Sequence, residues 1–378
     1  MNTSRRDFVR GLAATAAGFA GLGRAASAGL LGSSSSDAYG RLIEDPGGLI
    51  DLPEGFVYRK ISSWGEEMSD GLLVPGLHDG MGAFDGGNGR VVLVRNHEIG
   101  IDSDPNLSAF GPNLERLDRV DPRLLFDAGR NGGPALGGTT NVIYDPATGE
   151  VVRHFLSIAG TGRNCAGGAT PWNTWITCEE WTQRANERCA ADHGWCFEVP
   201  ASSRVNLVAA RPLKAMGRFN HEAITVSPDG RCVYLTEDRN DGVLYRFVPH
   251  QPGRLAEGGR LQAMVIRDQP SLDTRNWIDP ATEKPAVTTG TKLEVSWIDL
   301  EDVEAPEDDL RFRAFDAGAA RFARGEGIEY NNGSIYICCT DGGPEKQGQI
   351  YRFIPKKDGQ PHDQLELFIQ PSKSDLVT

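Results

Sequence analysis

The chain has 378 residues, with 46 Gly and 22 Pro scattered between short apolar runs, and a formal net charge of -13. This length can bury a sizeable core, and the glycine and proline content favours many turns and short strands over long helices. The excess of acidic residues argues against a protein that binds nucleic acid or an anionic membrane without specificity.

The N-terminus has the parts of an export signal in order. Residues 4–10 read Ser-Arg-Arg-Asp-Phe-Val-Arg, a Gly- and Ala-rich apolar stretch covers 11–22, and Ala-Ser-Ala follows at 26–28. This order is typical of a signal read by the twin-arginine export machinery, and the apolar stretch is too short for a stable membrane span. We predict a signal peptide at 1–28, a flexible linker at 29–48 and a folded domain at 49–378, in a protein exported folded to the periplasm or the cell exterior.

A recurring pattern organises the folded part: a polar residue, a turn, a short apolar strand and an acid at the end of that strand. Four instances cover residues 78–98, 165–180, 220–238 and 324–341. Each is long enough for two strands joined by a tight turn, so both ends of each hairpin return to one edge of a sheet. Radial repetition predicts an all-β fold, a β-propeller of about six blades, with loop or helix insertions within 102–134 and 185–193.

The hairpin ends carry carboxylates that repel one another unless protons or cations intervene. These acids are Glu98, Glu179, Glu180, Glu222, Glu237, Asp238, Glu326 and Asp341. Calcium accepts many oxygen ligands with loose geometry, so it suits such a set together with Asn96 and Asn220. The competing interpretation is that each acid caps a turn or pairs with an arginine at the surface.

Two residues differ from this acidic set. Cys165 lies beside Gly167 and Gly168, and a soft thiolate among carboxylates suits iron better than calcium. Arg324 lies two residues before Glu326, and its planar guanidinium matches two oxygens of a phosphate group. An equally weighted interpretation is that Arg324 neutralises a nearby acid.

The histidines and the other thiols are less informative. His97 and His221 each precede a glutamate and are not assigned as ligands. Seven cysteines are an odd number, so at least one sulfur is free, bound to metal or paired between chains. Cys189 and Cys196, close together in a polar loop, are the expected disulfide.

Several motifs resemble those of the PhoX-type alkaline phosphatases. Besides the export signal, they lie at 95–98 (Arg-Asn-His-Glu), 164–180 (from Asn-Cys-Ala-Gly-Gly to Cys-Glu-Glu), 217–222, 236–238, 324–327 and 340–343. The resemblance covers most of the mature chain. It implies a β-propeller phosphatase, expected to be a monomer, that hydrolyses small phosphate esters with an iron and calcium cluster at the mouth of its channel.

The resemblance also implies individual roles. The implied metal ligands are Cys165, Glu222 and Glu326 for iron (Fe³⁺), and Glu180 and Glu98 for calcium (Ca²⁺) or as bridges. The predicted ligand set is completed by Glu179, Asn96, Glu237 and Asp341. Arg324 is expected to hold the substrate phosphate and to balance the charge that grows in the transition state of a metal-assisted attack on phosphorus.

The family pattern leads us to expect one more unit after residues 370–375, with Asp-Asn before a turn and Cys-Glu-Asp after a strand. A propeller without this unit lacks a blade and several metal ligands. Two other function classes stay open. One is a calcium-dependent propeller lactonase or esterase in which Cys165 is incidental, and the other is a non-catalytic extracytoplasmic propeller stabilised by metal.

Overall fold

The structure, a computed structural model, describes residues 39–278, 284–356 and 359–371. The predicted signal peptide, the first part of the predicted linker and residues 372–378 lie outside the described residues. The chain divides into two compact units, Met1–Lys60 and Ile61–Thr378. In the described part of the first unit, β1 (Leu42–Ile43) pairs antiparallel with β2 (Leu52–Pro53).

The second unit is built mainly from antiparallel strands. In chain order they are β3 (His78–Asp85), β4 (Val91–His97), β5 (Gly137–Asp145), β6 (Glu150–Thr161), β7 (Asn164–Ala169), β8 (Thr174–Glu179), β9 (Cys196–Pro200), β10 (His221–Val226), β11 (Val233–Glu237), β12 (Gly242–Val243), β13 (Tyr245–Pro249), β14 (Gly259–Ile266), β15 (Lys292–Asp299), β16 (Arg321–Phe322), β17 (Gly325–Asn331), β18 (Ser334–Cys339), β19 (Gln349–Ile354) and β20 (Asp363–Ile369). The α-helix of the described residues is α1 (Leu310–Asp316). The all-β prediction is therefore confirmed.

Each of the three larger sheets has a predicted hairpin at an edge, and β12 pairs with β16 in a separate two-stranded sheet. One sheet has the order β3-β4-β5-β6 and another has the order β7-β8-β9. A nine-stranded sheet contains the third hairpin at one end and the fourth at the other, in the order β10-β11-β13-β14-β15-β20-β19-β18-β17. The predicted insertions are loops with short 3₁₀ turns at Pro105–Leu107, Leu117–Arg119 and Pro122–Leu124.

The hairpin turns follow from local chemistry. In the fourth hairpin, Asn332 and Gly333 both have positive φ (48° and 81°), which is the backbone of a type I′ turn. This turn matches the right-handed twist of the strands it joins, so it sets the pairing of Asn331 with Ser334 and of the residues before and after them.

The apolar cores lie between successive hairpin sheets. Phe84 and Val94 of the first sheet share a core with Trp175 and Phe197 of the second. A second core joins β7, β8 and β9 to β10, β11 and β13, and a third joins the two ends of the nine-stranded sheet. Strand β10 contributes residues to both the second and the third core, and all of its residues are buried. Close packing also requires small residues: a Cβ at Gly168 would lie 2.1 Å from the carbonyl oxygen of Ile224.

Within residues 39–278, 284–356 and 359–371, no helix has the length and apolar character needed to cross a bilayer.

Candidate metal centre

The four predicted hairpins begin with the same irregularity. Just after the first ladder pair of each hairpin, the first strand has a β-bulge, where two residues face one residue of the partner strand. The bulged pairs are Asp79 with Gly80, Cys165 with Ala166, Glu222 with Ala223, and Glu326 with Gly327. A bulge re-aims a side chain that strict alternation would direct elsewhere. Each hairpin therefore presents one acid or thiol at its bulge.

The second strand of each hairpin contributes the residue that follows its last ladder pair. These following residues are Glu98, Glu180, Asp238 and Thr340. In all four hairpins, the backbone N–H of this residue donates to the carbonyl oxygen of the residue two positions before the bulged acid or thiol. Those acceptors are Leu77, Arg163, Asn220 and Arg324, at 2.9 to 3.1 Å. One backbone arrangement, used four times, therefore places two side chains at the same end of each hairpin.

The side chains at these ends converge. We call Asp79, Glu98, Cys165, Glu180, Glu222, Asp238 and Glu326 the hairpin-end cluster. The ligand atoms of Cys165, Glu180 and Glu222 all lie within 4.8 Å of one another, and so do those of Glu222, Asp238 and Glu326. Asp79 interacts with Glu98 and Glu326 and so connects the first hairpin to the fourth. Glu222 belongs to both groups, which makes it the centre of the cluster.

Two arginines lie over the cluster at equivalent positions of their hairpins. Arg163 Nη2 donates to Glu98 Oε1 and to Glu180 Oε2, both at 2.9 Å. Arg324 holds Asp238 with two parallel hydrogen bonds of 2.8 and 2.7 Å and also donates to Glu326 at 2.7 Å. Both have positive φ (48° and 50°), a strained backbone for arginine that the turn into the bulge requires.

Four carboxyls of the cluster, those of Asp79, Glu180, Glu222 and Glu326, have a raised pKa and so hold protons more tightly than ordinary acids. Burial, followed by repulsion from Glu326, raises the pKa of Glu222 to about 8. Burial and neighbouring acids raise the pKa of Glu180 to about 7, although the charge of Arg163 opposes the rise. Burial and the charge of Glu98 raise the pKa of Asp79 to about 6. The two arginines therefore leave the negative charge only partly compensated, and bound protons or bound cations can balance the rest.

This imbalance predicts how stability depends on pH in metal-free protein. Glu222 and Glu180 have pKa values of about 8 and about 7 when folded, against an ordinary 4.5, so the folded state binds protons that the unfolded state has released. Their contribution is most favourable below about pH 4.5 and is lost as the pH rises towards 8. We expect the urea midpoint of EDTA-treated protein to fall over this range. The double variant Glu180→Gln/Glu222→Gln should fall less, and an equal or steeper fall would contradict the assignment.

Four predicted ligands lie outside the hairpin-end cluster. The amide of Asn96 is engaged elsewhere: Nδ2 donates to the carbonyl oxygens of Cys165 and Ala166, and Oδ1 accepts from Trp175 Nε1. Asn96 thus fixes the bulge of the second hairpin. Asp341 lies one residue beyond Thr340, which occupies the hairpin-end position and donates to Glu326 at 3.0 Å.

Glu179 and Glu237 are the other two. Each is a ladder partner at the last pair of its hairpin, so strand alternation turns it away from the residue that follows it. Glu179 is fully buried and accepts hydrogen bonds from His193 Nδ1 (2.7 Å) and from the N–H groups of Gly162 and Gly194. Glu237 accepts from the hydroxyl of Tyr245 at 2.9 Å. Both are structural carboxylates in this arrangement.

The adjacent glutamates allow a matched test. Burial lowers the pKa of His193, but the carboxylates of Glu179 and Asp127 raise it to about 9, so His193 is a buried cation between two acids. Glu179→Gln should therefore reduce the free energy of unfolding by about 3 to 5 kcal/mol, because it breaks a buried ion pair. Glu180→Gln removes a repelled carboxylate and should leave metal-free stability unchanged or higher. Urea unfolding of both variants with EDTA present measures the difference, and equal losses would contradict these placements.

The remaining histidines and thiols also have structural partners. His97 contacts the carbonyl of Gly76 and the hydroxyl of Thr140, each at 2.9 Å, so neither of its ring nitrogens is available to a metal. The predicted disulfide is wrong, since Cys189 and Cys196 are both free. Cys196 faces the core between the second and third hairpins, while Cys189 lies in the loop beside Asp127.

Sequence reasoning missed Asp79 and Arg163 as members of the site. The signal was present: an acid or thiol followed by Gly or Ala recurs at each bulge, and an arginine stands two residues earlier in the second and fourth hairpins. Alignment of the hairpins on this small residue, rather than on the acidic ends, identifies both positions.

A set of antiparallel sheets whose bulged hairpins deliver ligand-type side chains to one cluster is the arrangement of a β-propeller with groups that could hold metal ions. The family model described as alkaline phosphatase PhoX matches residues 37–377. The chain therefore belongs to the PhoX family of alkaline phosphatases, which are metal-dependent phosphoric ester hydrolases.

One solved structure agrees with this fold. The chain is similar to Pseudomonas fluorescens PhoX in complex with vanadate, a transition state analogue, with a TM-score of 0.55 and 18% identity over 83% of this chain and 72% of that one. A putative 6-phosphogluconolactonase from Bacteroides uniformis matches at a TM-score of 0.30, with 13% identity over 73% of this chain and 68% of that one. The latter similarity is too low to carry an argument. Among curated proteins, none matches the sequence.

Proposed function

We propose that the protein is an exported phosphatase that hydrolyses small phosphate esters at the hairpin-end cluster, with iron and calcium ions held there. The observation that carries the proposal is the pair of ligand groups that share Glu222, one of which contains Cys165. A thiol and carboxylates together form a mixed soft and hard donor set, which suits iron at the thiol and calcium at the oxygens.

The residues present fit such ions on electrostatic grounds. The pKa of Glu222, of Glu180 and of Glu326 is raised in each case first by burial and then by repulsion between neighbouring acids. Cations bound among them would relieve this repulsion. Cys165, Glu222 and Glu326 are the proposed holders of iron, and Glu180 and Glu98 those of calcium. Asp238 of the predicted acidic set joins them, and Asp79 is added from the structure. The bound ions would supply Lewis acidity at the phosphoryl oxygens and activate an oxygen nucleophile.

Arg324 is the proposed phosphate-binding residue. Its two parallel hydrogen bonds to Asp238 show that its guanidinium can present two donors side by side, which is the arrangement that a phosphate group accepts. Its side chain is 43% exposed, so a ligand from solvent can reach it. Phosphate competes with Asp238 for this arginine, and the competition weakens once Asp238 binds a cation.

The proposed function includes the cell compartment of the protein and the boundaries of its domains. The twin-arginine motif supports export of the folded protein to the periplasm or beyond, with a signal peptide at 1–28, a linker at 29–48 and a monomeric propeller domain from 49 onwards. Replacing Arg5 and Arg6 together by Lys should keep the protein in the cytoplasmic fraction of the cell. Appearance of the double variant in the periplasm at the wild-type level would refute export by this route.

The function is tested by two measurements on one preparation. We expect metal analysis of the purified chain to show both iron and calcium, and the same sample to hydrolyse an aryl phosphate and to be inhibited by vanadate. Calcium without iron, together with hydrolysis of a lactone or an aryl acetate instead of the phosphate, would favour the propeller lactonase or esterase. Bound metal with no hydrolysis of any of these esters would favour a non-catalytic module.

A further inference from the structure

Two cysteines that the metal centre does not use lie opposite each other in the second sheet. Cys178 on β8 and Cys196 on β9 are partners in the antiparallel register. Glu179 and Trp195 lie one residue beyond the two cysteines, and the N–H of Glu179 donates to the carbonyl of Trp195 at 3.0 Å. Because hydrogen-bonded and non-hydrogen-bonded pairs alternate along antiparallel strands, the two cysteines form a non-hydrogen-bonded pair. In such pairs the Cα atoms are about 4.5 Å apart and the side chains are at their closest.

The sulfur atoms are already in contact. Their Sγ atoms are 3.7 Å apart, and both side chains are fully buried. Disulfides require Cα atoms about 4.4 to 6.8 Å apart, a range that contains the non-hydrogen-bonded spacing, so the bond needs side-chain rotation but no strand movement. His221 orients one sulfur: its Nε2 donates to the carbonyl of Gly217, which leaves Nδ1 to accept from the Cys196 thiol at 3.3 Å.

We propose that Cys178 and Cys196 are an oxidation site that closes to a cross-strand disulfide with hydrogen peroxide as the oxidant. The Cys196 sulfur attacks one peroxide oxygen and the O–O bond breaks, which gives a sulfenic acid; the released hydroxide and the thiol proton leave as water. The Cys178 sulfur then attacks the Cys196 sulfur, the S–O bond breaks, and a second water leaves with the Cys178 proton. In sum, two thiols and one peroxide give one disulfide and two waters.

The closed pair would join β9 to the strand that leads into the metal centre. Cys178 lies two residues before Glu180, and its carbonyl oxygen is 3.8 Å from the sulfur of Cys165. Oxidation would therefore hold the end of β8 against β9. It would also consume the Cys178 thiol, so that Cys178 could no longer form a disulfide with Cys165 at the cluster. This proposal does not depend on phosphatase activity.

Peptide mapping tests the pairing directly. The purified full chain is treated with hydrogen peroxide, quenched with catalase, unfolded, alkylated and digested with trypsin and chymotrypsin, which separate these cysteines from Cys165 and Cys189. We expect one cross-linked species that joins the Cys178 and Cys196 peptides, and alkylated Cys165 and Cys189. A link between Cys165 and Cys178, a link between Cys189 and Cys196, or full alkylation of both proposed partners would overturn the proposal.

Variants and a stability measurement complete the test. Cys189→Ser is the matched control and should keep the cross-link, whereas Cys178→Ser should leave a sulfenic acid at Cys196 that dimedone traps. If Cys178→Ser fails to fold, as judged by circular dichroism, Cys178→Ala takes its place. Oxidised wild type should unfold at a temperature about 3 °C or more above the same protein reduced with a phosphine, since the bond restricts the unfolded chain. Equal unfolding temperatures, with no dimedone adduct, would also count against the proposal.

Discussion

Glu222→Gln is expected to lower kcat/KM for an aryl phosphate by at least about 10³-fold, because it removes the carboxylate shared by both ligand groups. The amide keeps the size of the side chain but cannot carry the negative charge that cations require. The same variant should lose most of its iron and part of its calcium. Steady-state kinetics and metal analysis on one preparation measure both effects.

The control for this variant is Glu294→Gln on β15, whose carboxylate is half exposed and lies 3.8 Å from Arg267. It makes the same chemical change in the middle strand of the nine-stranded sheet, whose two ends carry the cluster hairpins, and should leave activity and metal content at wild-type levels. Retention of both iron and full activity by Glu222→Gln would show that the hairpin-end cluster is not the metal centre.

Arg324→Ala is expected to lower kcat/KM by about 10² to 10³-fold, which is the usual result of removing one donor that stabilises charge in a transition state. Vanadate inhibition should weaken in parallel, because the proposed phosphate-binding guanidinium would also hold this analogue. Arg324→Lys should recover only part of the loss, since an ammonium group cannot make two parallel hydrogen bonds to a phosphate.

A purely structural role for Arg324 predicts a different outcome. In that case both variants would change unfolding by urea while vanadate inhibition stayed at the wild-type value. Arg231→Ala provides the control, because Arg231 is 77% exposed in a hairpin turn and pairs loosely with Asp229. Unchanged phosphate hydrolysis in Arg324→Ala would remove its proposed role as the phosphate-binding residue.

One kind of contact links neighbouring hairpins at the hairpin-end cluster. In the second, third and fourth hairpins, the residue two positions before the bulge interacts with an acid at the end of the preceding hairpin: Arg163 with Glu98, and Arg324 with Asp238. Asn220 does the same with Glu180, at 3.1 Å. These three hairpins therefore supply both a ligand-type side chain and the group that orients the acid of the hairpin before them, so loss of one of their bulges is expected to disturb two hairpins.

The sequence by itself determined the all-β architecture, the four hairpins and their turns, and most of the convergent set. These features are local: turn residues such as Asn332 and Gly333 bend the chain wherever they occur, and apolar strands with polar ends recur in the same order. The motifs around Cys165 and Glu222 were sufficient to suggest the family to which the chain belongs.

Only the tertiary structure decided which residue of each acidic pair faces the cluster. Glu179 and Glu180 are neighbours of the same type, yet one pairs with buried His193 and the other points at Glu222, because the ladder ends between them. The pairing of cysteines was likewise decided by register, which places Cys196 opposite Cys178 rather than near Cys189. A one-residue change of register or a single bulge reverses the face of a side chain, and composition and spacing along the chain do not contain that information.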